Sequence, residues 1–236
     1  MNPPLGPSSL IIPPELRTAD QAMRDLISPR PVLITGGAGF IGTNVADRFL
    51  AAGQSVLLYD NLSRPGVEAH VHWLRARHGK LIDLIPADVR DATTLRAAVA
   101  CASRVFHFAA QVAVTTSLTD PLQDFEVNTR GTLNLLETLR AMTAPPPMLF
   151  TSTNKVYGTL PDVPLSVRDS AYSPDRSDLR SHGVDETRAL DFHSPYGCSK
   201  GAADQYVLDY ARTFNLPTIV FRMSCIYGQH QLGTER

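Results

Sequence analysis

The stretch Val32–Gly42, which reads V-L-I-T-G-G-A-G-F-I-G, limits the fold of this chain more than any other. Its first residues form a short apolar run that is typical of a buried strand, and the apolar spacing from Ile41 onward predicts a helix. Between them, Gly36, Gly39 and Gly42 recur at three-residue intervals. The first glycine allows a tight turn, the second lets a phosphate approach the backbone, and the third lets helix and strand pack closely. Because the helix N-terminus also offers unpaired N–H groups and a positive dipole end, the stretch predicts a site for the pyrophosphate of a dinucleotide.

An acidic residue follows the second apolar run, Val56–Tyr59. Asp60 lies roughly twenty residues beyond the glycines, where a carboxylate can accept hydrogen bonds from the ribose hydroxyls of adenosine. A carboxylate at this place would also repel a 2′-phosphate, so Asp60 favours NAD over NADP. Arg64 nearby weakens that preference.

Apolar runs and helical patterns alternate along most of the chain, which predicts an α/β fold, a doubly wound parallel sheet of the Rossmann type. The predicted strands are 32–34, 56–59, 81–86, 104–108, 148–151 and 217–221. The predicted helices are 41–52, 65–78, 91–100, 120–142 and 194–214. A polar segment rich in proline and serine, 159–190, follows the fifth strand and is predicted to be an insertion. Ligands of such sheets bind at the carboxyl ends of the strands. We therefore expect one site to include Asp60, Asp88, Ala109–Gln111, Thr151–Thr153 and Met223–Ser224.

A tyrosine and a lysine four residues apart form a second chemical feature. Tyr196 and Lys200, in Y-G-C-S-K, share one face of the helix predicted over 194–214. The ammonium would favour the phenolate and lower the pKa of the tyrosine toward the range of a general base. Lys200 can also hydrogen-bond the ribose of a nicotinamide. Thr153 lies just past the fifth strand, where its hydroxyl can hold the reacting substrate oxygen near Tyr196.

These residues resemble the extended short-chain dehydrogenase/reductase family of nucleotide-sugar enzymes, the NAD-dependent epimerases and dehydratases. The shared motifs are G-x-x-G-x-x-G, an acidic residue after the second strand, a Ser or Thr after the fifth, and Y-x-x-x-K. The resemblance covers residues 31 to 231. It is most specific in T-S-T-N-K-V-Y-G (151–158) and D-F-H-S-P-Y-G-C-S-K (191–200). These two stretches resemble the branch of the family that epimerises a CDP-sugar at C2 for the synthesis of surface polysaccharides.

The resemblance implies roles for individual residues. It assigns catalysis to Thr153, Tyr196 and Lys200. It assigns NAD binding to the last two of these and to Gly36, Gly39, Phe40, Ile41, Gly42, Asp60, Asn61, Ser63, Arg64, Asp88, Val89, Ala109, Ala110 and Gln111. The implied reaction is oxidation of the sugar at C2, in which Tyr196 takes the hydroxyl proton while a hydride passes to NAD. Return of the hydride to the opposite face inverts C2 and regenerates the cofactor.

Two other functions stay open at this point. A nucleotide-sugar 4-epimerase would use the same three catalytic residues, and a truncated NAD-binding module would have no activity at all. A 4,6-dehydratase is disfavoured. Related dehydratases carry an Asp-Glu pair after the strand-five threonine for the expulsion of water, and the corresponding residues here are Asn154 and Lys155. The expected partner is therefore a nucleotide-sugar substrate.

Composition argues against several other classes of protein. A formal net charge of −1 argues against nucleic-acid binding, and no apolar run is long enough to span a bilayer. Three widely spaced cysteines without a C-x-x-C pair indicate reduced thiols rather than disulfides or a zinc site. Because the N-terminus lacks a signal-peptide pattern, we expect a cytoplasmic protein. We expect His70 and His72 on a helix surface, His107 in the core, and no metal site.

The two ends of the chain carry separate expectations. Prolines break any periodic pattern over residues 1–30, which we expect to be a partly disordered extension unrelated to the chemistry. Residues 31–236 are expected to form the Rossmann domain without the smaller C-terminal lobe that family members carry after the sixth strand. Such enzymes often pair through helices equivalent to 121–142 and 195–214, so a full-length fold would be expected to form a homo-oligomer.

Overall fold

The computed structural model describes residues 30–232, and its centre is a six-stranded parallel sheet. In chain order the strands are β1 (Val32–Thr35), β2 (Val56–Tyr59), β3 (Ile82–Ile85), β4 (Arg104–His107), β5 (Met148–Thr153), β6 (Leu165–Arg168), β7 (Ala171–Pro174) and β8 (Thr218–Met223). The sheet has the order β3-β2-β1-β4-β5-β8, and β6 and β7 form a separate antiparallel hairpin. This order confirms the predicted doubly wound sheet, because successive strands extend to one side of β1 and then to the other.

Helices cover the sheet on both faces. They are α1 (Phe40–Ala51), α2 (Glu68–His78), α3 (Ala92–Ala100), α4 (Val114–Thr119), α5 (Pro121–Phe125), α6 (Gly131–Arg140), α7 (Ser177–His182) and α8 (Ser194–Phe214). A π-helical turn, Glu126–Arg130, joins α5 to α6 without a break, and a 3₁₀ turn, Asn154–Tyr157, follows β5. Within residues 30–232 no helix combines the length and the apolarity that a membrane span needs.

The strands pair in register, so aligned residues of neighbouring strands point to the same face. Ile34 and Leu58 pack with apolar residues of α1 and α2 on one face. Leu33, Leu57 and Val105 pack with α3, α6 and α8 on the other. Strands buried on both faces read as continuous apolar runs, which is why the sequence pattern identified them.

The structure departs from the sequence expectations in its helices and in the insertion. The segment predicted as one helix over 120–142 consists of α5, the π-helical turn and α6. Helix α4 is not predicted from the sequence, because V-T-T-S-L-T is rich in residues of low helix propensity. The insertion 159–190 contains the β6–β7 hairpin and α7, and the hairpin has no buried face to impose an alternating pattern. The expectation for the N-terminal extension lies outside the described residues, apart from Arg30.

A buried ion pair ties α8 to the last strand of the sheet. Arg222 on β8 donates from Nε and Nη2 to the two carboxylate oxygens of Asp204 on α8, at 2.9 Å each. Its Nη1 donates to the hydroxyl of Tyr157 at 2.8 Å. Asp204 is fully buried, and the side chain of Arg222 is 12% exposed. Because α8 also carries Tyr196 and Lys200, this pair helps to fix the helix that presents both side chains.

Replacing Arg222 with Met should destabilise the fold, because the buried carboxylate of Asp204 would lose its partner. We expect the free energy of unfolding, measured by urea denaturation, to fall by about 3–5 kcal/mol. The double variant Arg222→Met, Asp204→Leu should recover much of this loss, since neither charge is then buried alone.

A matched control is Arg176→Met, because Arg176 pairs with Asp178 on the exposed surface. This variant should unfold at the same urea concentration as the wild type. An Arg222→Met variant as stable as this control would contradict the structural role of the ion pair.

Candidate active site

A cleft of about 940 Å³ lies at the carboxyl edge of the sheet. The ends of β1, β2, β4 and β5 meet the N-termini of α1 and α8 there, as expected for a ligand site in a doubly wound sheet. Every residue that the sequence assigned to the site lines this cleft. They are Gly36, Gly39, Phe40, Ile41, Gly42, Asp60, Asn61, Ser63, Arg64, Asp88, Val89, Ala109, Ala110, Gln111, Thr153, Tyr196 and Lys200. The cleft also includes residues that the motifs did not single out, among them Arg90, Gln123, Cys225 and Ile226.

The glycines of the turn after β1 are required by close contacts. Gly36 has a φ of +67°, and a Cβ on it would lie 2.6 Å from the backbone nitrogen of Ala109. A Cβ on Gly42 would overlap the carbonyl oxygen of Gly36, so this glycine lets α1 pack against the turn. A Cβ on Gly39 would meet only that same oxygen, at 3.2 Å. A ligand in the cleft can thus approach the backbone at Gly39, whereas Gly36 and Gly42 leave no space for a side chain.

Asp60 holds the glycine turn as well as lining the cleft. Its Oδ2 accepts a hydrogen bond from the N–H of Ala38 at 3.0 Å, and its Oδ1 accepts one from the N–H of Leu62 at 2.9 Å. Burial raises the pKa of this carboxyl, while the two N–H donors and the charge of Arg64 act in the opposite direction. Each oxygen keeps a second lone pair that can accept a ligand hydroxyl. The two backbone hydrogen bonds to Asp60 could not be predicted from the sequence.

Asp88, which lies just past the end of β3, is held by its neighbours. Arg90 donates to both of its oxygens from Nε and Nη2 at 2.8 Å each, and Asn61 donates to Oδ2 at 2.8 Å. The guanidinium of Arg90 is the main reason that the pKa of Asp88 falls to about 2. Tyr59 donates to the backbone oxygen of Asp88 at 2.9 Å. The carboxylate is therefore fixed in its charged form, and Arg90 is a neighbour that the motifs did not indicate.

Tyr196 lies in the first turn of α8 beside Thr153. Its backbone N–H donates to the buried hydroxyl of Ser117 at 3.1 Å, which anchors the start of the helix to α4. Ser194, which begins the helix, has a φ of +63°, an uncommon backbone conformation for a residue other than glycine. Burial raises the pKa of the phenol, and its hydrogen bond with Thr153 acts against this rise.

Lys200 lies one turn further along α8 and is 4% exposed. Its Nζ donates to the backbone oxygen of Thr151 at 2.6 Å and lies 4.3 Å from the centre of the Phe150 ring. Burial lowers the pKa of Lys200 to about 8, although Asp204 and Asp124 act against this shift. The expected lowering of the tyrosine pKa by this ammonium is wrong for the structure: burial dominates, and the pKa of the phenol is raised. Burial is not readable from a four-residue spacing, which explains the error.

A buried polar network supports the loop after β4. The Oδ1 of Asn128 accepts the N–H of Gln111 at 2.9 Å, and its Nδ2 lies 3.0 Å from the hydroxyl of Ser199 on α8. Ser199 also donates to the carboxylate of Asp124, which is fully buried. Asp124, Asn128 and Thr132 recur every four residues, so one side of the helical segment 121–140 buries polar groups. That periodicity was a sequence signal for a supporting network next to the site.

The histidines differ in how well their positions were predicted. His107 is buried, and its ring nitrogens lie 2.6 Å from the hydroxyl of Thr35 and 3.0 Å from that of Thr132, which confirms the expectation of a core histidine. His70 is buried rather than on the surface, because its Nδ1 bonds the carbonyl oxygen of Ala38 at 2.7 Å. Among residues 30–232 no group of His, Cys, Asp or Glu side chains is arranged to hold a metal ion.

Comparisons with known proteins find similarity over the same part of the chain. The family described as the NAD dependent epimerase/dehydratase family matches residues 32–236. CDP-paratose 2-epimerase of Salmonella typhi is 44% identical over 205 residues, which cover 86% of this chain and 59% of that protein.

Two solved structures are similar in fold. UDP-glucose 4-epimerase of Thermotoga maritima, determined with UDP-glucose, is 29% identical with a TM-score of 0.67, covering 85% of this chain and 57% of its own. The NAD complex of UDP-glucose 4-epimerase of Thermus thermophilus is 31% identical with a TM-score of 0.66. The match covers 87% of this chain and 59% of the Thermus thermophilus chain. The chain thus spans 57–59% of the length of these three proteins.

The lowered pKa of Lys200 predicts a pH dependence of stability. The folded pKa of about 8 lies below the ordinary value of 10.5, so between these values the unfolded chain binds more protons than the folded one. The free energy of unfolding should therefore rise with pH in that window, by roughly 1–3 kcal/mol relative to Lys200→Met. Urea denaturation of both proteins from about pH 7 to about pH 10 checks this, and equal pH dependence would show that the lysine titrates normally.

Proposed function

The chain belongs to the NAD dependent epimerase/dehydratase family, and from this we propose that it binds NAD and epimerises a nucleotide sugar at C2, most specifically CDP-paratose to CDP-tyvelose. One observation carries the proposal. Thr153, Tyr196 and Lys200 meet at one end of a cleft whose other end is formed by the glycine turn and Asp60. A hydride-transfer enzyme needs a cofactor site next to its proton-transfer group, because the cofactor must lie beside the group that moves the proton.

The residues of the cleft fit NAD. The space over Gly39 and the first N–H groups of α1 suit a pyrophosphate, and the close contacts of Gly36 keep this part of the turn free of side chains. Asp60 at the end of β2 can accept the ribose hydroxyls. Lys200 and Tyr196 lie where a nicotinamide ribose would be held. When bound, NAD would accept a hydride from the sugar and return it.

The proposed chemistry divides three tasks among side chains at the end of β5 and the start of α8. The Thr153 hydroxyl holds the reacting oxygen of the sugar. Tyr196 removes the proton from that oxygen and returns it in the second half of the reaction. Lys200 holds the nicotinamide ribose in position with its ammonium. Inversion requires that the 2-keto sugar present its opposite face before the hydride returns.

The neighbours of Thr153 support epimerisation over dehydration, and the relatives support C2 over C4. Asn154 and Lys155 carry no carboxylic acid, which a dehydration step at this place would need. The 44% identity to CDP-paratose 2-epimerase exceeds the 31% identity to the 4-epimerase of Thermus thermophilus. A 4-epimerase remains the second candidate, because both solved structures above have that activity in their names.

We also propose that the protein associates with a second copy through the helical segment 121–142 and α8. Apolar side chains on these helices are exposed, including Leu122 at 70%, Phe125 at 48% and Phe214 at 42%. Exposed apolar groups on neighbouring helices favour a protein contact over water.

Conversion of CDP-paratose labelled with deuterium at C2 tests the function. We expect CDP-tyvelose, detected by NMR, with the deuterium still at C2, because a hydride held on a bound cofactor does not exchange with water. Tyr196→Phe should reduce turnover by about 10²–10⁴-fold and leave NAD binding intact. Loss of the deuterium to solvent, or unchanged turnover of Tyr196→Phe, would refute the mechanism.

The cofactor preference gives a separate test at Asp60. Asp60→Asn removes the charge that repels a 2′-phosphate, so the affinity for NADP relative to NAD should rise by about tenfold. Titration of each nucleotide by protein fluorescence measures the ratio. Asp83→Asn is the matched control, since Asp83 lies on β3 and outside the residues lining the cleft, and this variant should keep the wild-type ratio.

A further inference from the structure

The cations that line the cleft differ in how they are held. Arg90 is paired with Asp88, and Lys200 is buried against the carbonyl of Thr151. The charge of Arg64 acts on Asp60 at the other end of the cleft. Lys155 lines the cleft and is exposed, and no carboxylate of the described residues lies within ion-pair distance of it. A cation left unpaired inside a ligand cleft is available to an anion.

Lys155 belongs to the catalytic end of the cleft. It follows Thr153 by two residues, and its backbone N–H donates to the Thr153 hydroxyl oxygen at 3.2 Å. A Cβ added to Gly197, the residue after Tyr196, would lie 3.8 Å from the backbone oxygen of Lys155. The 3₁₀ turn Asn154–Tyr157 thus fixes this lysine beside the two residues that would hold the reacting oxygen. Its four-carbon side chain lets the ammonium adjust to a ligand.

The place of the diphosphate in a nucleotide sugar relates the position of Lys155 to the choice between C2 and C4. The diphosphate is attached to C1, which is bonded directly to C2, whereas C4 lies across the ring from C1. When C2 is at Tyr196, the diphosphate oxygens lie close to the reacting atom and within reach of a cation next to Thr153. When C4 is at Tyr196, the diphosphate lies on the far side of the sugar. A cation beside the reacting oxygen therefore favours one of the two orientations.

We propose that Lys155 binds the diphosphate of the nucleotide-sugar substrate and so orients C2, rather than C4, toward Tyr196. The inference rests on the proposed function and adds a specificity-determining residue to it. With a nucleotide sugar, the ion pair forms when C2 is at Tyr196 and not when C4 is, so its binding energy selects the carbon that is oxidised. Lys155 takes no part in proton or hydride transfer.

Binding and product analysis on Lys155 variants test the proposal. Lys155→Met should weaken the binding of CDP and of CDP-paratose to the NAD-loaded protein by about tenfold or more, measured by calorimetry. Lys155→Arg should keep most of this affinity, because it keeps the charge. Binding of cytidine, which has no phosphate, and of NAD should be unchanged. Among the epimers formed from CDP-paratose, the ratio of C2 to C4 product should fall in Lys155→Met.

Lys80→Met is the matched control, since Lys80 is also exposed and lies outside the cleft. It should bind all four ligands as the wild type does. Wild-type affinity of Lys155→Met for CDP would overturn the inference while leaving the proposed function intact, provided that the wild type still forms the C2 epimer. Equal weakening of NAD binding would overturn it too, since the lysine would then serve the cofactor. A wild type that binds NAD and CDP but epimerises only C4 would refute the C2 function and, with it, the orienting role.

Discussion

The close approach of two backbone segments after β1 and β4 determines the geometry of the cleft. A Cβ on Gly36 would lie 2.6 Å from the backbone nitrogen of Ala109, so the turn and the loop can meet only with glycine there. Asn128 then ties the next part of that loop, at Gln111, to Ser199 on α8. The glycine turn and the helix that carries Tyr196 are thus connected through short, buried contacts. Since packed interiors deform little, the separation of the two ends of the cleft is fixed before any ligand binds.

Three side chains of helix α8 follow one another at four-residue intervals from the cleft into the core. Tyr196 lies at the cleft, Lys200 one turn deeper, and Asp204 one turn deeper again, where Arg222 neutralises it. Burial raises the pKa of the tyrosine and lowers that of the lysine, so two proton affinities that are nearly equal in free side chains move apart. In the ligand-free protein the phenol is protonated at neutral pH. In its proposed role as a general base, Tyr196 would therefore need the charge of a bound ligand to favour the phenolate.

Sequence patterns predicted the sheet, the glycine turn and the residues around the cleft, because each depends on local spacing. Strands buried on both faces are continuous apolar runs, and the ends of parallel strands meet by topology. The pKa of Tyr196, the burial of His70 and the pairing of Asp88 with Arg90 could not be predicted, since each depends on side chains that come together only in the fold. The β6–β7 hairpin was missed for a different reason: an exposed ladder leaves no periodic apolar signal.

The two ends of the cleft differ in how their charged side chains are paired. At the end with the glycine turn, Asp60 is held by two backbone N–H groups and Asp88 by Arg90, so acceptors are fixed and their charges are partly compensated. At the end with Thr153, the described residues leave Lys155 exposed without a carboxylate partner. Fixed acceptors suit neutral ribose hydroxyls, whereas an unpaired ammonium suits a phosphate. The adenosine ribose of a dinucleotide and the diphosphate of a second ligand would therefore take different ends, and reversing them would set a phosphate against Asp60.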